Sequence, residues 1–451
     1  MEAFHKLIIW SNGHIFWGVP MLCLLMGTHL FLTFRLRFIQ RHIWLAIKLS
    51  VTKEKGAEGD VSPFGALTTA LAATVGTGNI VGVATAVAMG GPGAVLWIWL
   101  TGVFGIATKY SEALLAVKYR EKTSDGTMLG GPMYALEKGL GMKWLGVLFC
   151  IFTALAAFGI GNMVQSNSVS SMVAETFKVP PYVTGLVTAF LTAVVILGGV
   201  RWIAGVCERL VPLMAIFYVT GCIIILIINS SYVLPAIALI FKSALTARAA
   251  GGGFVGATIL TAARYGIARG LFSNESGLGS AAIVAAAART KNPVRQALVS
   301  STGTFWDTVV VCAMTGVVLV SSIMRSPEDL AGVNGAALTK AVFEHIPVVG
   351  PVVLTVGLLT FVFSTILGWS YYGERAIEYL FGKTVIKPYR IIWVVVVFLG
   401  SVATLPLVWD LADAMNAMMA VPNLISILLL NGVLFAETRK YLWQGTPEDL
   451  V

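Results

Sequence analysis

Long apolar segments joined by short polar connectors dominate this chain. Eleven can be drawn, at about 13–34, 64–91, 94–117, 144–175, 182–200, 203–229, 253–289, 296–323, 350–374, 388–408 and 414–436. A helix of about 20 apolar residues crosses a bilayer, and within lipid it satisfies its own backbone hydrogen bonds. The continuous Ala, Val, Ile and Leu runs lack the alternation of a membrane β-barrel strand. The pattern therefore predicts an all-α membrane protein with 11 transmembrane helices.

Two of the predicted helices are interrupted by glycine and polar residues near their centres. One reads AATVGTGNIVG over 72–82, and the other reads GLFSNESGLGS over 270–280. They open spans two to six and spans seven to eleven, so they stand at matching positions of two halves. Such a pair is typical of transporters built from inverted repeats. We therefore predict an N-terminal transmembrane helix and loop over 1–63, a five-helix repeat over 64–230, and a second, inverted five-helix repeat with a tail over 231–451.

Close helix packing is one interpretation of these glycines, because small residues let neighbouring membrane helices approach each other. It does not explain Asn79, Asn274 and Glu275, since polar groups at membrane depth are costly and usually functional. The other interpretation is a pair of broken helices. Their free N–H groups favour an anion such as a carboxylate, and their free carbonyl groups suit a hard cation such as Na⁺. This second interpretation predicts a transport site at the two interruptions.

Composition and charge narrow the class of protein further. Of 451 residues, 57% are apolar and 12% are charged, too few charges to cover the surface of a soluble enzyme. The net charge of +9 comes from Lys and Arg that concentrate on one side of the predicted membrane, which favours an outside N terminus and a cytoplasmic C terminus. The five cysteines lie in apolar stretches without CxxC spacing, and neither HExxH nor a GxxxxGK phosphate loop occurs. We therefore predict no enzyme activity, no cofactor and no nucleic-acid partner.

Three separated motifs carry a family resemblance: GTGNIVG at 76–82, GGPMY at 130–134 and NESGLG at 274–279. Together they resemble the alanine/glycine:cation symporter family, the sodium:alanine symporters of bacteria and archaea, over nearly the whole chain. The resemblance implies the leucine-transporter fold, which has a 5+5 inverted repeat with broken first and sixth core helices; here an extra helix precedes this core. It also implies symport of a small neutral amino acid, alanine or glycine, with Na⁺ by alternating access. The expected location is the plasma membrane, with no obligate protein partner.

The carboxylate and the ammonium of an amino acid need different partners. Backbone N–H groups at the first interruption suit the carboxylate, because glycine allows close approach. Free carbonyl groups near Phe272 and Ser273 suit the ammonium. The fourth span lines the site in the resembling fold, which makes Gln165 our preferred side-chain contact, and Trp369 would wall a small pocket. The predicted substrate residues are Gly76, Thr77, Gly78, Gln165, Phe272, Ser273, Asn274, Glu275 and Trp369.

The resemblance also implies a Na⁺ site between two helices. In the resembling fold, the first core helix supplies two carbonyl oxygens, and the eighth supplies a carbonyl and two neighbouring hydroxyls. Carried onto this chain, the ligands are the carbonyl groups of Ala72, Val75 and Phe361 and the hydroxyl groups of Ser364 and Thr365. Without the resemblance, bonding of the two hydroxyls back to their own helix is the simpler interpretation. Asn79 matches the position that binds a second Na⁺ in relatives, and whether this chain has that site is left open.

Four acidic residues have alternative roles. Glu275 either binds the substrate ammonium, as Asn274 also could, or pairs with Arg269 across the break. Asp307 either pairs with Arg264 or carries a proton. Asp410 and Asp413, near the outer end of the last span, either cap that span or join an outer gate with Arg269.

Two pairs of polar residues share helical faces. Lys109 and Glu112 are three residues apart, which predicts an ion pair that snorkels towards the cytoplasmic face. Asn162 and Gln165 have the same spacing, and for them hydrogen bonding between helices competes with a role in substrate binding.

Other transport functions remain as alternatives to Na⁺-coupled uptake of alanine or glycine. One is coupling to H⁺, and another is a broader range of small neutral amino acids. A channel is a more distant alternative, since channels often assemble one pore from several subunits. Two unlike broken helices within one chain favour the symporter.

Overall fold

The computed structural model describes residues 2–52, 54, 56–246, 258–330, 333, 335–344, 349–403 and 406–445. Within these ranges the chain is largely helical, and seven helices are long and apolar enough to cross a membrane. They are Phe4–Arg35, Lys143–Phe177, Val200–Ile228, Pro293–Arg325, Val352–Phe381, Lys383–Val402 and Leu407–Leu429. The helix pair Pro63–Thr74 and Gly78–Gly90 is bent by 53° and reaches the same length and apolar character as one span. The prediction of a largely helical membrane protein is confirmed, whereas the number of 11 transmembrane helices stays a prediction.

The helices up to residue 246 alternate with short connections. They are α1 (Glu2–Ser11), α2 (Val19–Arg35), α3 (Ile43–Val51), α4 (Pro63–Thr74), α5 (Val83–Gly90), α6 (Ala94–Lys118), α7 (Pro132–Tyr134), α8 (Lys143–Ala156), α9 (Val164–Phe177), α10 (Pro181–Ile196), α11 (Val200–Ile228) and α12 (Ser230–Leu245). Strands β1 (Glu121–Lys122) and β2 (Met128–Leu129) form an antiparallel hairpin after α6. Wider, π-helical turns join several of these helices, at Asn12–Phe16, Gly78–Gly82, Ala135–Gly139 and Ala157–Met163.

The helices after residue 257 are likewise joined by short connections. They are α13 (Ile259–Asn274), α14 (Ser280–Ala285), α15 (Pro293–Thr304), α16 (Ala313–Arg325), α17 (Pro327–Leu330), α18 (Gly335–Phe343), α19 (Val349–Phe381), α20 (Ile386–Val402), α21 (Pro406–Leu429) and α22 (Asn431–Thr438). π-Helical turns at Phe305–Cys312 and Arg439–Trp443 continue α15 into α16 and extend α22. The start of the predicted span 253–289, at 253–257, lies outside the described residues, as do 404–405 in the predicted span 388–408.

The first apolar span begins earlier than the predicted 13–34. Helix α1 precedes it and runs through a π-helical turn towards α2. Its polar side chains bind the N-terminal part of α21, where His5 Nε2 lies 2.7 Å from the Asp410 carboxylate and Asn12 donates to the Asp410 carbonyl at 2.6 Å. These long-range contacts explain why a segment with several polar residues continues the helix.

Both predicted interruptions are present in the structure. Helix α4 ends at Thr74 because Val75 turns to an extended conformation, and the chain resumes as a π-helical turn at Gly78. Helix α13 ends where Glu275 adopts a left-handed conformation, with φ of 54°. Gly277 and Gly279 also have positive φ, which side chains other than glycine rarely tolerate. The chain therefore crosses each break through residues suited to turns.

Backbone hydrogen bonds join the two broken helices at the ends of α4 and α14 that lie away from the breaks. We call these paired segments the clasp. The segment before α4 pairs with the segment after α14, through Asp60 N to Ala287 O at 2.8 Å and Arg289 N to Val61 O at 2.8 Å. The Arg120 guanidinium donates across this clasp to backbone carbonyl groups of both segments. The clasp therefore ties α4, α6 and α14 into one unit.

Helix α6 is central to this unit. It packs against α2, α13, α14 and α15, and its second half is buried on every side. Such a helix can carry polar groups to the breaks without exposing them to lipid.

Candidate substrate and cation site

The first break is closed by its own asparagine. The Gly76 N–H donates to Asn79 Oδ1 at 2.9 Å, and the Asn79 N–H returns to the Gly76 carbonyl at 3.3 Å. Asn79 is fully buried. Of the N–H groups expected to bind a carboxylate, that of Gly76 is therefore already used, which narrows the expected set to Thr77 and Gly78.

The carboxylate of Asp307 connects the two breaks. Asn79 Nδ2 donates to one carboxylate oxygen at 2.7 Å, and the hydroxyls of Ser273 and Thr308 donate to the other at 3.1 and 2.6 Å. The suggested partner Arg264 lies elsewhere, where it donates to the Gly13 carbonyl at 2.7 Å. Pairing of Asp307 with Arg264 was therefore wrong, and three neutral donors hold this buried carboxylate instead.

A small inner cavity lies between the breaks, α9 and α19. Its volume is about 20 Å³, enough for about one water molecule, so the cavity is nearly closed in this structure. Seven predicted substrate residues line it: Gly76, Thr77, Gly78, Gln165, Phe272, Glu275 and Trp369. The remaining lining residues are Ala73, Thr74, Ile160, Thr365 and Asn416. Asn416 on α21 was not predicted, although its spacing of seven from Asn423 puts two amides on one face of an apolar helix.

Two buried carbonyl oxygens at this cavity have no hydrogen-bond donor among the described residues. They are Oε1 of Gln165 and Oδ1 of Asn416. The Gln165 amide is fixed by its other end, since Nε2 donates to the Ile160 carbonyl at 3.0 Å. A buried acceptor without a donor is costly, so a ligand that brings several N–H donors, such as an ammonium, suits this cavity.

Two predicted substrate residues point away from the cavity. Ser273 donates to Asp307, and Asn274 Oδ1 accepts from the Ser276 N–H at 2.9 Å. Successive residues of a helix are turned by about 100° from one another, so Phe272 and Glu275, three residues apart, line the cavity while Ser273 and Asn274 between them face other directions.

Asn162 and Gln165 also separate, although their spacing predicted one face. Asn162 donates to the Trp393 carbonyl at 3.0 Å, in the direction of α20. The π-helical turn Ala157–Met163 changes the helical phase just before α9. Hydrogen bonding between helices, one of the two interpretations, therefore holds for Asn162.

Four of the five expected Na⁺ ligands, those of Ala72, Phe361, Ser364 and Thr365, lie together. Ser364 Oγ is 2.8 Å from the Phe361 carbonyl and 3.2 Å from the Ala72 carbonyl, and Thr365 Oγ1 is 2.9 Å from the Phe361 carbonyl. Both hydroxyls thus donate to their own helix, as the simpler interpretation held. Their lone pairs remain available to a cation, so the structure brings together oxygen atoms from both helices beside the inner cavity, which Thr365 itself lines.

The Glu112 carboxylate accepts hydrogen bonds from the backbone of the second break. Its Oε1 accepts from the Gly277 N–H at 2.8 Å, the Gly279 N–H at 3.1 Å and Asn423 Nδ2 at 2.8 Å. Lys109 and Glu112 do form an ion pair, at 3.9 Å, but both side chains are buried. The predicted snorkelling towards the cytoplasm is therefore wrong, because α6 is enclosed by other helices at this level.

A larger vestibule lies on the opposite side of Thr77, Gly78 and Phe272, the three residues that also line the inner cavity. Its volume is about 720 Å³. Arg269 and Asp413 both line it. Glu275 and Arg269, the alternative pair across the break, have other partners. The Glu275 carboxylate accepts from the Ser280 hydroxyl at 2.5 Å, and the Arg269 guanidinium lies over the Phe272 ring. Among the described residues, the alternative pairing of Glu275 with Arg269 is not formed.

These features define a class of protein. Two broken helices, a small polar cavity between them and a vestibule on one side are the parts of a secondary transporter. The model of the sodium:alanine symporter family matches residues 1–449, and the chain belongs to this family. It is an integral membrane protein that carries out Na⁺-coupled amino-acid symport, and it is not an enzyme.

Individual relatives agree with this assignment. The chain is 53% identical over 445 residues to the sodium/alanine symporter AgcS of Methanococcus maripaludis, covering 97% of each protein. It is 36% identical to the probable sodium/glutamine symporter GlnT of Bacillus subtilis, covering 98% of this chain and 92% of GlnT. A crystal structure of MhsT in complex with L-phenylalanine superimposes with a TM-score of 0.60 at 16% identity, covering 86% of this chain and 95% of MhsT. The likeness to MhsT shows the leucine-transporter fold.

Proposed function

We propose that this protein couples Na⁺ entry to the uptake of a small neutral amino acid, alanine or glycine, by alternating access. The inner cavity carries the proposal. Its volume of only about 20 Å³, with the large side chains of Phe272 and Trp369 in its lining, favours the shortest amino-acid side chains. Similarity to a protein named as a sodium/alanine symporter supports the same substrate.

Within this cavity, each end of the substrate has a proposed position. The carboxylate binds at the N–H groups of Thr77 and Gly78, where the helix resumes and its dipole favours a negative charge. The ammonium binds near Glu275 and the unpartnered oxygens of Gln165 and Asn416. In this arrangement Ser273 and Asn274 do not touch the substrate. They stabilise the second break through hydrogen bonds with Asp307 and the Ser276 N–H.

The coupling Na⁺ binds beside the substrate in our proposal. Its ligands are the carbonyl groups of Ala72, Val75 and Phe361 and the hydroxyl groups of Ser364 and Thr365. Small hard cations prefer such oxygen ligands. A second Na⁺ at Asn79 has less support, since the Asn79 oxygen already accepts from Gly76. We therefore base the proposal on one ion.

The proposed membrane arrangement keeps the predicted layout. It has 11 transmembrane helices, with an extra helix over 1–63 and two inverted five-helix repeats over 64–230 and 231–451. The N terminus lies outside and the C terminus lies in the cytoplasm, because Lys and Arg concentrate at the cytoplasmic ends. The vestibule then opens to the outside, so the structure corresponds to an outward-facing state.

Uptake in proteoliposomes tests the proposed function. We expect labelled alanine to accumulate under an inward Na⁺ gradient and not under an equal K⁺ gradient. Unlabelled glycine should compete, and glutamine and phenylalanine should compete weakly because the cavity is too small for them. Accumulation driven equally well by a pH gradient without Na⁺ would favour H⁺ coupling. Strong competition by glutamine would favour the broader specificity, and currents far above carrier turnover would favour a channel.

Replacing Gln165 by leucine should weaken substrate binding. The variant keeps the approximate volume but removes an acceptor for the ammonium, a loss of about 1.5–3 kcal/mol for a charged partner. The KM for alanine should therefore rise by about tenfold or more. The control is Asn162→Leu, whose amide faces α20. Equal KM values for wild type and Gln165→Leu would remove Gln165 from the site.

A further inference from the structure

Lys109 is a buried cation that the proposed transport cycle does not use. It lies on α6 with 3% of its surface exposed. Its Nζ is 3.9 Å from Glu112 Oε2, beyond hydrogen-bond distance. Among the described residues, Nζ has no hydrogen-bond acceptor at all. A lysine kept only for stability would satisfy its three N–H donors, because unpaired buried donors are costly.

The nearest acid, Glu112, has the hydrogen bonds of an ionised carboxylate. Three N–H donors converge on its Oε1, two from the backbone of the second break and one from Asn423. Its Oε2 accepts no hydrogen bond from the described residues and lies nearest to Lys109. The ammonium and the break are thus connected through a single carboxylate.

Two further buried carboxylates lie at the same breaks. They are Glu275, which lines the inner cavity, and Asp307, which joins the two breaks. Three buried acids around one buried base form a cluster with an excess of negative groups. Such a cluster needs a cation, because uncompensated buried charge is strongly unfavourable.

We propose that Lys109 is the resident cation of this cluster and takes the place that a second transported cation would otherwise fill. The inference rests on the proposed function and deepens it by setting its ion stoichiometry. A tethered ammonium stays with the protein through the cycle, so it adds no transported charge. One Na⁺, bound at the α4–α19 site, then accompanies each amino acid.

The substitution Lys109→Met tests this proposal, because methionine keeps the length of the side chain and removes the charge. Wild type should show a Hill coefficient for Na⁺ of about one in alanine uptake, and the variant should approach about two. In detergent with saturating alanine, ²²Na⁺ binding should rise by one ion per chain. Lys109→Arg should retain the wild-type values. Lys118→Met is the matched control, since Lys118 lies on the same helix in an exposed ion pair with Glu437.

The vacated position accepts a proton as well as Na⁺, so both assays are repeated on either side of neutral pH. An additional bound Na⁺, or a pH dependence of uptake that wild type lacks, supports the proposal. A Lys109→Met protein with wild-type Na⁺ binding, Hill coefficient and pH profile overturns it.

A charge-matched variant tests the proposal even if Lys109→Met does not fold. If Lys109→Met does not fold, Lys109→Met combined with Glu112→Gln should fold, because the excess negative charge has been removed. Failure of both to fold, while Glu112→Gln alone folds, contradicts the proposal. Failure of the proposed function is distinguishable, since wild type itself would then show no Na⁺-driven alanine uptake.

Discussion

Replacing Thr365 by alanine should raise the Na⁺ concentration for half-maximal alanine uptake by about tenfold or more. The hydroxyl lies on the cavity side of α19 and joins the carbonyl of Phe361 within the oxygen cluster. Loss of one charge-assisted ligand costs about 1.5–3 kcal/mol, and about 1.4 kcal/mol corresponds to tenfold in affinity. Uptake rates measured against Na⁺ concentration at saturating alanine give the answer.

Thr360 provides the control for this prediction. It lies on the same helix and donates to the Val356 carbonyl at 2.8 Å, a bond of the same kind that Thr365 makes. Thr360→Ala should leave the Na⁺ requirement unchanged. Equal Na⁺ requirements in wild type and Thr365→Ala would show that the hydroxyl bonds only to its own helix.

Replacing Gly161 by alanine should abolish most alanine uptake. A Cβ at this position would lie 2.3 Å from Cβ and 2.5 Å from Cγ of Trp369. Trp369 is fully buried and lines the inner cavity, so it can yield only by moving the wall of the site. Overpacking of this kind costs about 1–3 kcal/mol. Uptake by purified, reconstituted protein should therefore fall by about tenfold or more.

Gly205 is the matched control for Gly161. It also lies within a helix, α11, but a Cβ there meets no atom within 4 Å. Gly205→Ala should transport as wild type. Addition of free alanine as the substrate should raise the thermal stability of wild type and of the Gly205→Ala variant but not of the Gly161→Ala variant. If Gly161→Ala transports normally, Trp369 does not form a tight wall of the substrate site.

The breaks could be predicted from sequence because they break a strong local rule. Glycine and polar residues inside an apolar span are unfavourable, so a cluster of them marks irregular backbone. The side chains at the second break could not be oriented in this way. Ser273 binds Asp307, and Glu112 accepts from the Gly277 N–H of this break although it lies 165 positions away along the chain, and neither contact can be read from the local sequence.

Two other predictions were wrong: the position of the Lys109–Glu112 pair relative to the membrane surface, and the shared helical face of Asn162 and Gln165. The spacing of Lys109 and Glu112 predicts their pairing correctly but contains no information about the helices that enclose α6. Likewise, Asn162 and Gln165 share a face only if the helix is regular, and the π-helical turn before α9 removes that condition. Asn416 was missed because its neighbours Glu275 and Gln165 come from distant segments.

Coupled flux of the two substrates tests the central claim most directly. Proteoliposomes with equal Na⁺ on both sides receive a trace of ²²Na⁺ and an inward gradient of unlabelled alanine. If both ligands cross on the same broken-helix site, alanine must drive ²²Na⁺ inward, as Na⁺ drives alanine, because coupling is reciprocal. The account predicts transient ²²Na⁺ accumulation in wild type and its loss in Thr365→Ala at low Na⁺. Entry of ²²Na⁺ at one rate with and without alanine would contradict it.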